Sequence, residues 1–196
     1  RMSLTIGVCA FNEERNIKAL LLDVLGQRGI PENAKIVVVA SGCTDNTAGV
    51  VREVMKDTTR LTLIEEEART GKTSAINLIL ATCPGELLTL VDADVRLPQG
   101  TLARVFRAFS DRRIGVAGGL PIVGNAERGT IAESASIILR VMTRALKELS
   151  LKGELAFVMG ELYGFRTSLV PRIPDGVINE DAYVATFVRS KGYKAV

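Results

Sequence analysis

Short apolar runs that alternate with helical patterns are the feature of this sequence that most constrains its fold. Residues 4–10 (LTIGVCA) and 35–40 (KIVVVA) are rich in β-branched side chains, which is typical of strands that are covered on both faces. Between these runs, apolar residues recur at helical spacing, namely at Ile17, Leu20, Leu21, Val24 and Leu25. The segment therefore predicts a βαβ unit with parallel strands.

The same alternation continues to the end of the chain. Further strands are predicted near 61–65, 87–91, 114–123, 160–166 and 192–196. Further helices are predicted over about 46–56, 73–81 and 131–149, from Pro98 onward, and from Glu180 to about Gly192. We expect a single α/β domain over residues 1–196, with a mostly parallel central sheet flanked by helices. Because the last strand has only begun at Val196, we also expect the natural chain to continue.

The first helix is predicted to start at Asn12. An asparagine side chain caps a helix by accepting a hydrogen bond from the backbone of the first turn. Glu13 and Glu14 would then lie in that first turn, where the helix dipole favours negative charge.

The absence of histidine excludes several chemistries. Histidine-based acid–base catalysis, Ser-His-Asp and Cys-His nucleophiles and zinc sites that contain histidine all need that side chain. Proton transfer must therefore fall to carboxylates, Lys, Tyr or Cys. The three cysteines, Cys9, Cys43 and Cys83, lack CxxC spacing and predict reduced thiols in the cytoplasm, without a disulfide or a zinc site.

Charge and hydropathy indicate neither a nucleic-acid partner nor a membrane span. The net charge is only +3, which is too small to predict attraction to nucleic acid. No stretch approaches the roughly 18 to 20 apolar residues that a membrane helix needs. Any membrane association, at the cytoplasmic face, is expected to come from segments outside these residues.

Two carboxylates follow the predicted strand 87–91 directly, at Asp92 and Asp94. Ligands of open α/β sheets bind outside the carboxyl ends of the strands. Two neighbouring carboxylates repel one another unless a cation intervenes, and Mg²⁺ or Mn²⁺ is commonly held by one or two carboxylates together with phosphate oxygens. The pair is a candidate metal–diphosphate site, but taken alone it is more typical of a solvated turn before a helix, where Asp is common.

Six segments carry patterns that are more specific together than separately. They are 9–14 (CAFNEE), 41–47 (SGCTDNT), 71–77 (GKTSAIN), 92–94 (DAD), 179–183 (NEDAY) and 189–193 (RSKGY). In this order they resemble P-x-Y-N-E-E, D-G-S-T-D-x-T, G-K-x-x-A-L-N, D-x-D, T-E-D-x-x and R-x-x-G-Y of the GT-A nucleotide-sugar glycosyltransferases of family 2. That family includes polyprenyl-phosphate mannosyltransferases and cellulose- and chitin-synthase-like enzymes, and the resemblance covers nearly the whole chain.

The resemblance implies a donor site for a nucleoside diphosphate sugar. The residues expected to line its nucleobase, ribose and sugar pocket are Ala10, Phe11, Glu13, Ser41 and Ala93. Lys72 would lie near the donor diphosphate or sugar. Asp92 would contact the ribose, or the metal through water, and Asp94 would be the direct ligand of Mn²⁺ or Mg²⁺.

The resemblance also implies how the proton moves. Asp181 would be the general base for the acceptor hydroxyl, with Glu180 beside it in the substrate site, and the anomeric configuration would be inverted. Without the resemblance, Glu180 and Asp181 favour a helix start over a catalytic role. The expected function is an inverting, metal-dependent glycosyltransferase that acts on a carbohydrate or lipid-linked acceptor.

Some residues depart from the family pattern and keep alternatives open. Ala40 and Ser41 stand where two acidic residues often precede glycine, so the nucleobase is not predicted and an inactive nucleotide-sugar binding module is an alternative. Arg96 stands where the lipid-phosphate mannosyltransferases tend to have an amide. The residues 71–73 (GKT) resemble part of a phosphate-binding P-loop, but Glu66 occupies the position of its required glycine.

Overall fold

A computed structural model describes residues 2–82, 85–121, 130–152, 155 and 157–196, and within 130–140 it describes the backbone alone. The described strands are β1 (Leu4–Ala10), β2 (Lys35–Ser41), β3 (Leu61–Glu66), β4 (Leu87–Asp92), β5 (Ile114–Gly118), β6 (Leu162–Arg166) and β7 (Lys194–Ala195). The described helices are α1 (Ile17–Leu25), α2 (Thr47–Met55), α3 (Lys72–Thr82), α4 (Thr101–Ala108), α5 (Thr130–Lys152) and α6 (Glu180–Ser190). The predicted alternation of strands and helices is confirmed.

The described strands form one mostly parallel, seven-stranded sheet in the order β3-β2-β1-β4-β6-β5-β7. β1 pairs in parallel with β2 and β4, and β2 with β3. β6 runs antiparallel to both of its neighbours, β4 and β5. The predicted α/β class is confirmed, while a single domain over all of residues 1–196 remains a prediction.

Both faces of the sheet are covered, as the apolar strands require. Ile6 and Val8 of β1 pack in one cluster with α1 and α4, whereas Val37 and Val39 of β2 pack in another with α3 and α6. Most strand side chains in the centre of the sheet are therefore buried on alternate faces. None of the described helices is long and apolar enough to cross a membrane.

The predicted start of the first helix at Asn12 is wrong. Helix α1 begins at Ile17, and Asn12 adopts a left-handed backbone conformation with φ of 56°, which Asn tolerates better than most residues. Glu13 and Glu14 therefore precede the helix and do not lie in its first turn. The Asn12 side chain bonds to the loop after β2 instead of to the helix.

Two other boundaries differ from the predictions for identifiable reasons. Helix α4 begins at Thr101, not at Pro98, because Gly100 has a φ of 78° and the Thr101 N–H bonds to the Pro98 carbonyl in a turn. Strand β5 ends at Gly118, three residues before Pro121, which has no N–H to donate to a ladder. Positions 122 and 123 of the predicted strand lie outside the described residues.

Candidate active site

The carboxyl ends of β1, β2 and β4 meet at one edge of the sheet, where the first turn of α3 also lies. A cavity of about 320 Å³ opens at this edge, near the lower end of the range for small-molecule sites. The predicted residues that line it are Ala10, Phe11, Glu13, Ser41, Lys72, Asp92, Ala93 and Asp94. The fold thus brings the predicted donor-site residues together, and their individual roles remain predictions.

The loops after β1 and β2 are bound to one another at this edge. Asn12 Oδ1 accepts a hydrogen bond from the Thr44 backbone N–H at 2.8 Å, and Asn12 Nδ2 donates to Thr44 Oγ1 at 3.1 Å. The backbone N–H of Glu13 donates to Thr47 Oγ1 at 2.8 Å. These bonds fix the backbone that carries Phe11 and Glu13.

Lys72 is the cation at the centre of the site. Its Nζ lies 2.8 Å from Asp92 Oδ1 and 2.8 Å from Glu180 Oε1, so it joins the start of α3 to the end of β4 and the start of α6. Burial lowers the pKa of the Lys72 ammonium, but the hydrogen bonds to Asp92 and Glu180 outweigh burial and hold that pKa above its ordinary value. Lys72 is therefore a fixed positive charge.

At the Asp92 carboxylate, the effect of burial on the pKa outweighs the effect of the hydrogen bond. Burial raises the pKa of Asp92, and repulsion from Asp94 and Glu161 adds to this effect, so the ion pair with Lys72 offsets only part of it. Asp94 is exposed at the mouth of the cavity. A further positive charge beside Asp92 and Asp94 would relieve their repulsion.

The donor atoms at this end fit a divalent cation that a ligand helps to hold. Among the described residues, no group of three or more His, Cys, Asp or Glu side chains is placed to share a metal ion. The two carboxylates of Asp92 and Asp94 leave room for phosphate oxygens and water, which is how proteins usually hold Mg²⁺. The residues present therefore fit an ion that a diphosphate completes.

Glu180 and Asp181 lie beside the cavity, at the start of α6. Glu180 is buried and paired with Lys72, whereas Asp181 is half-buried and accepts a hydrogen bond from the Ala182 N–H at 2.7 Å. A Cβ added to Gly160 would lie 3.1 Å from Asp181 Oδ2 and 3.9 Å from Lys72 Nζ. Gly160 thus leaves open the space in front of the Asp181 carboxylate.

Four lining residues were not predicted as site residues, namely Cys9, Arg69, Gly71 and Ala75. Arg69 and Gly71 precede Lys72 in the β3–α3 loop, and Ala75 lies one helical turn after it. Their positions close to Lys72 in the sequence could have identified them as site residues. Burial is the main cause that raises the pKa of Cys9 to about 12, with a smaller opposing effect of Lys72. The Cys9 thiol is therefore neutral and not a nucleophile.

Arg96 points away from the cavity. Its Nε lies 2.6 Å from Asp23 Oδ2 of α1, and a second hydrogen bond of 3.0 Å joins the same two side chains. Asp23 Oδ2 also accepts from the Leu97 N–H at 3.1 Å. Arg96 therefore binds the loop after β4 to α1 and does not line the cavity.

Comparison with known proteins identifies relatives of this chain. The model of the family described as "Glycosyl transferase family 2" matches residues 5–173. The fold resembles the solved structure of the mannosyltransferase PcManGT from Pyrobaculum calidifontis in complex with GDP-Man and Mn²⁺. That match has a TM-score of 0.80 and 26% sequence identity, and it covers 100% of this chain and 54% of the other.

Two curated relatives are longer than this chain. The β-monoglucosyldiacylglycerol synthase of Nostoc sp. (strain PCC 7120) is 25% identical over 137 residues, which cover 66% of this chain and 29% of the relative. The poly-β-1,6-N-acetyl-D-glucosamine synthase of Staphylococcus aureus (strain COL) is 22% identical over 196 residues, which cover 97% and 47% respectively. The chain thus spans less than half the length of either relative.

Proposed function

The chain belongs to glycosyltransferase family 2, and from this premise we propose that it transfers a sugar from a nucleoside diphosphate to an acceptor hydroxyl with inversion. The observation that carries the proposal is the cavity at the carboxyl edge of the sheet. It combines an aromatic side chain, Phe11, with a fixed cation, Lys72, and the two carboxylates of Asp92 and Asp94. A flat side-chain surface at one end of the cavity suits a nucleobase, and positive charge at the other end suits a diphosphate.

The spacing of the strands suits a nucleoside diphosphate that lies across them. Ser41 is the last residue of β2 and Asp92 is the last residue of β4, with β1 between these strands. Neighbouring strands are about 4.8 Å apart, so the two ends of the cavity are separated by roughly 10 Å. The diphosphate would lie at Asp92, Asp94 and Lys72, and the base would lie near Phe11. The structural relative from Pyrobaculum calidifontis holds GDP-Man and Mn²⁺, which supports this choice of ligand.

Asp92 and Asp94 would hold Mn²⁺ or Mg²⁺ together with diphosphate oxygens, with Asp94 as the direct ligand. A bound divalent cation supplies Lewis-acid stabilisation of a leaving diphosphate. Lys72 contributes a second positive charge from the protein itself. Because Lys72 is already paired with Asp92 and Glu180, its position does not have to be established when the donor binds.

Asp181 would act as the general base. The acceptor oxygen attacks the anomeric carbon from the face opposite the diphosphate, and a new C–O bond forms as the bond to the diphosphate breaks. The acceptor proton passes to Asp181, and the nucleoside diphosphate leaves with the electron pair of the broken bond. The space in front of Asp181, which Gly160 leaves open, would admit the acceptor hydroxyl. With no histidine in the chain, a carboxylate suits this task.

The acceptor is proposed to be a carbohydrate or a lipid-linked molecule. The two curated relatives are named as a glycolipid synthase and a polysaccharide synthase, and both kinds of product require an acceptor hydroxyl. We place the reaction in the cytoplasm, at the membrane face when the acceptor is lipid-linked. The described free cysteines, Cys9 and Cys43, suit a reducing compartment.

Donor turnover tests the proposal directly. GDP- and UDP-sugars are incubated with the protein and Mn²⁺, with and without simple sugar or glycolipid acceptors, and released nucleoside diphosphate is measured. We expect nucleoside diphosphate to be released faster than in the protein-free control. The anomeric configuration of the product, measured by NMR, should be opposite to that of the donor. Tight donor binding without turnover would favour the inactive binding module, and the absence of both would contradict the proposal.

A further inference from the structure

Arg69 covers the face of Phe11 inside the cavity. The guanidinium carbon of Arg69 lies 4.0 Å from the centroid of the Phe11 ring, and both side chains line the cavity. At this distance the guanidinium is in direct contact with the ring, so no base fits between the two groups. The surface that a nucleobase meets on this side of the cavity is therefore the Arg69 guanidinium itself.

The backbone of Arg69 is held in place by the loop after β2. Gly42 has a φ of 62°, and a Cβ added to it would lie only 2.5 Å from the Arg69 backbone nitrogen. Ser41 Oγ donates a hydrogen bond to the Ala68 carbonyl at 3.4 Å and accepts one from the Thr70 N–H at 3.3 Å. These contacts on both sides of Arg69 fix where its side chain begins.

Arg69 lies at the end of the cavity that is remote from the diphosphate position. It follows β3 and packs against Gly42, directly after β2, whereas Asp92 is the last residue of β4. In the sheet order, β1 separates β2 from β4, which places the Arg69 backbone roughly 10 Å or more from the acidic pair. The Arg69 guanidinium reaches as far as Phe11, after β1. A nucleotide with its phosphates beside Asp92 would therefore bring its base, and not its phosphates, to Arg69.

The Arg69 guanidinium supplies the side-chain N–H donors at this end of the cavity. Arg69 carries five N–H donors and no acceptor, and it makes no hydrogen bond or ion pair with another described residue. Ala40 has no polar side chain, and the Ser41 hydroxyl is already bonded to the neighbouring loop. The Glu13 carboxylate accepts a hydrogen bond from Asn16 at 2.8 Å, and a carboxylate keeps further acceptor sites that N–H groups of a base can reach. A base that offers adjacent acceptors to Arg69 and N–H donors to Glu13 suits this end best.

We propose that Arg69 selects the nucleobase of the donor and that the base it selects is guanine. Guanine presents the acceptors O6 and N7 side by side, and arginine pairs with both at once. Uracil separates its two carbonyl acceptors by an N–H donor, which a guanidinium cannot satisfy. The inference rests on the proposed function, because it assumes that a nucleotide occupies this cavity.

Calorimetric titration with GDP, UDP, ADP and CDP in Mn²⁺ tests the inference. The wild-type protein is expected to bind GDP roughly 10- to 100-fold more tightly than UDP, the discrimination of one good paired contact. Arg69→Ala is expected to bring GDP to within about 3-fold of UDP. Arg69→Lys keeps the charge but loses the paired donors, so it should also lose the preference for GDP.

Arg112→Ala is the matched control. Arg112 is an exposed arginine before β5, at the edge of the sheet opposite the cavity, because β5 runs in the same direction as β4. This variant should keep the wild-type preference for GDP, and thermal melting of all variants verifies that each is folded.

The outcomes separate this inference from the proposed function. Binding of UDP, ADP or CDP as tight as that of GDP would overturn the selection of guanine while leaving the transferase proposal standing. An Arg69→Ala variant that kept the GDP preference would overturn the role of Arg69. If none of the four nucleotides bound, the proposed function and the inference would both fall.

Discussion

Lys72 at the start of α3 and Glu180 at the start of α6 form an ion pair of 2.8 Å, although they are far apart in the chain. The Glu180 side chain is only 7% exposed, and the same ammonium lies 2.8 Å from Asp92 Oδ1. One lysine thus compensates a buried carboxylate and also contacts the acidic pair. The position of α6, which carries Asp181, is thereby tied to the donor cavity.

Replacing Lys72 should destabilise the protein. Lys72→Met leaves the Glu180 carboxylate buried without its cation, and we expect a loss of about 2–4 kcal/mol in the free energy of unfolding, since Lys72 is itself partly exposed. Urea unfolding measures this loss. The double variant Lys72→Met/Glu180→Gln should regain most of the lost free energy of unfolding, while its donor turnover stays low. Lys56→Met breaks an exposed pair with Glu53 and should cost less than about 1 kcal/mol. Equal effects of the two single variants would contradict the account.

Asp181→Asn should separate binding from turnover. The amide keeps the size of the side chain but cannot take a proton, so turnover should fall by roughly 10²- to 10⁴-fold while the donor affinity changes little. Steady-state rates and calorimetry are compared with those of Asp175→Asn, a change at an exposed aspartate whose side chain is 81% exposed. Near-normal turnover of Asp181→Asn would assign the base to another residue.

Asp94→Ala should remove the dependence of donor binding on Mn²⁺. Loss of a residue that only supports a metal ligand costs roughly 10- to 100-fold in metal affinity. Loss of the ligand itself should therefore lower the donor affinity in Mn²⁺ by at least this factor. Affinity in EDTA should stay close to that of the wild type, because Lys72 is unchanged. Asp57→Ala, at an exposed aspartate after α2, is the control. An unchanged response of Asp94→Ala to Mn²⁺ would exclude Asp94 as a ligand.

The contact between Asp23 and Arg96 should make part of the stability depend on pH. The hydrogen bond from Arg96 is the main cause that holds the pKa of Asp23 below its ordinary value, and burial opposes it. A lowered pKa stabilises the folded state above the unfolded pKa of about 3.9, and this stabilisation disappears as pH falls through the folded value. Asp23→Asn should cost about 1 kcal/mol at neutral pH and converge with the wild type in acid. A difference between the two proteins that did not vary with pH would contradict the pairing.

Gly42→Ala should destabilise the protein more than Gly176→Ala. Both glycines have positive φ, of 62° and 82°, but a Cβ on Gly42 meets the Arg69 backbone whereas a Cβ on Gly176 meets nothing within 4 Å. We expect about 1 kcal/mol of strain at Gly176 and an additional loss at Gly42, because the β3–α3 loop must shift. Equal melting temperatures would show that this loop does not depend on Gly42.

The sequence was sufficient to predict the strands and the edge at which the site lies. Buried β-branched runs such as 35–40 leave few alternatives to parallel strands, and residues that follow such strands meet at one edge. The contact of Asn12 with Thr44 was not predictable, because it depends on the loops after β1 and β2 lying side by side. The ion pair of Lys72 with Glu180 depends in the same way on the packing of α6 against the sheet.

The stacking of Arg69 on Phe11 shows a further limit of the sequence. Arg69 precedes a recognisable pattern at 71–77, but nothing in the order of residues indicates that its side chain turns toward β1. That direction follows from the close approach of Gly42 to the Arg69 backbone, which exists only when β2 and β3 are neighbours. Contacts between loops are therefore the part of the site that requires the structure.

Diffraction from crystals soaked with GDP-mannose and Mn²⁺ tests the central claim most directly. Data collected at the manganese absorption edge should show an anomalous peak in contact with Asp94 and close to Asp92, with the donor phosphates on its other side. Donor density in the cavity without a peak at these residues, or a manganese peak elsewhere while Asp92 stays paired with Lys72 alone, would contradict the account.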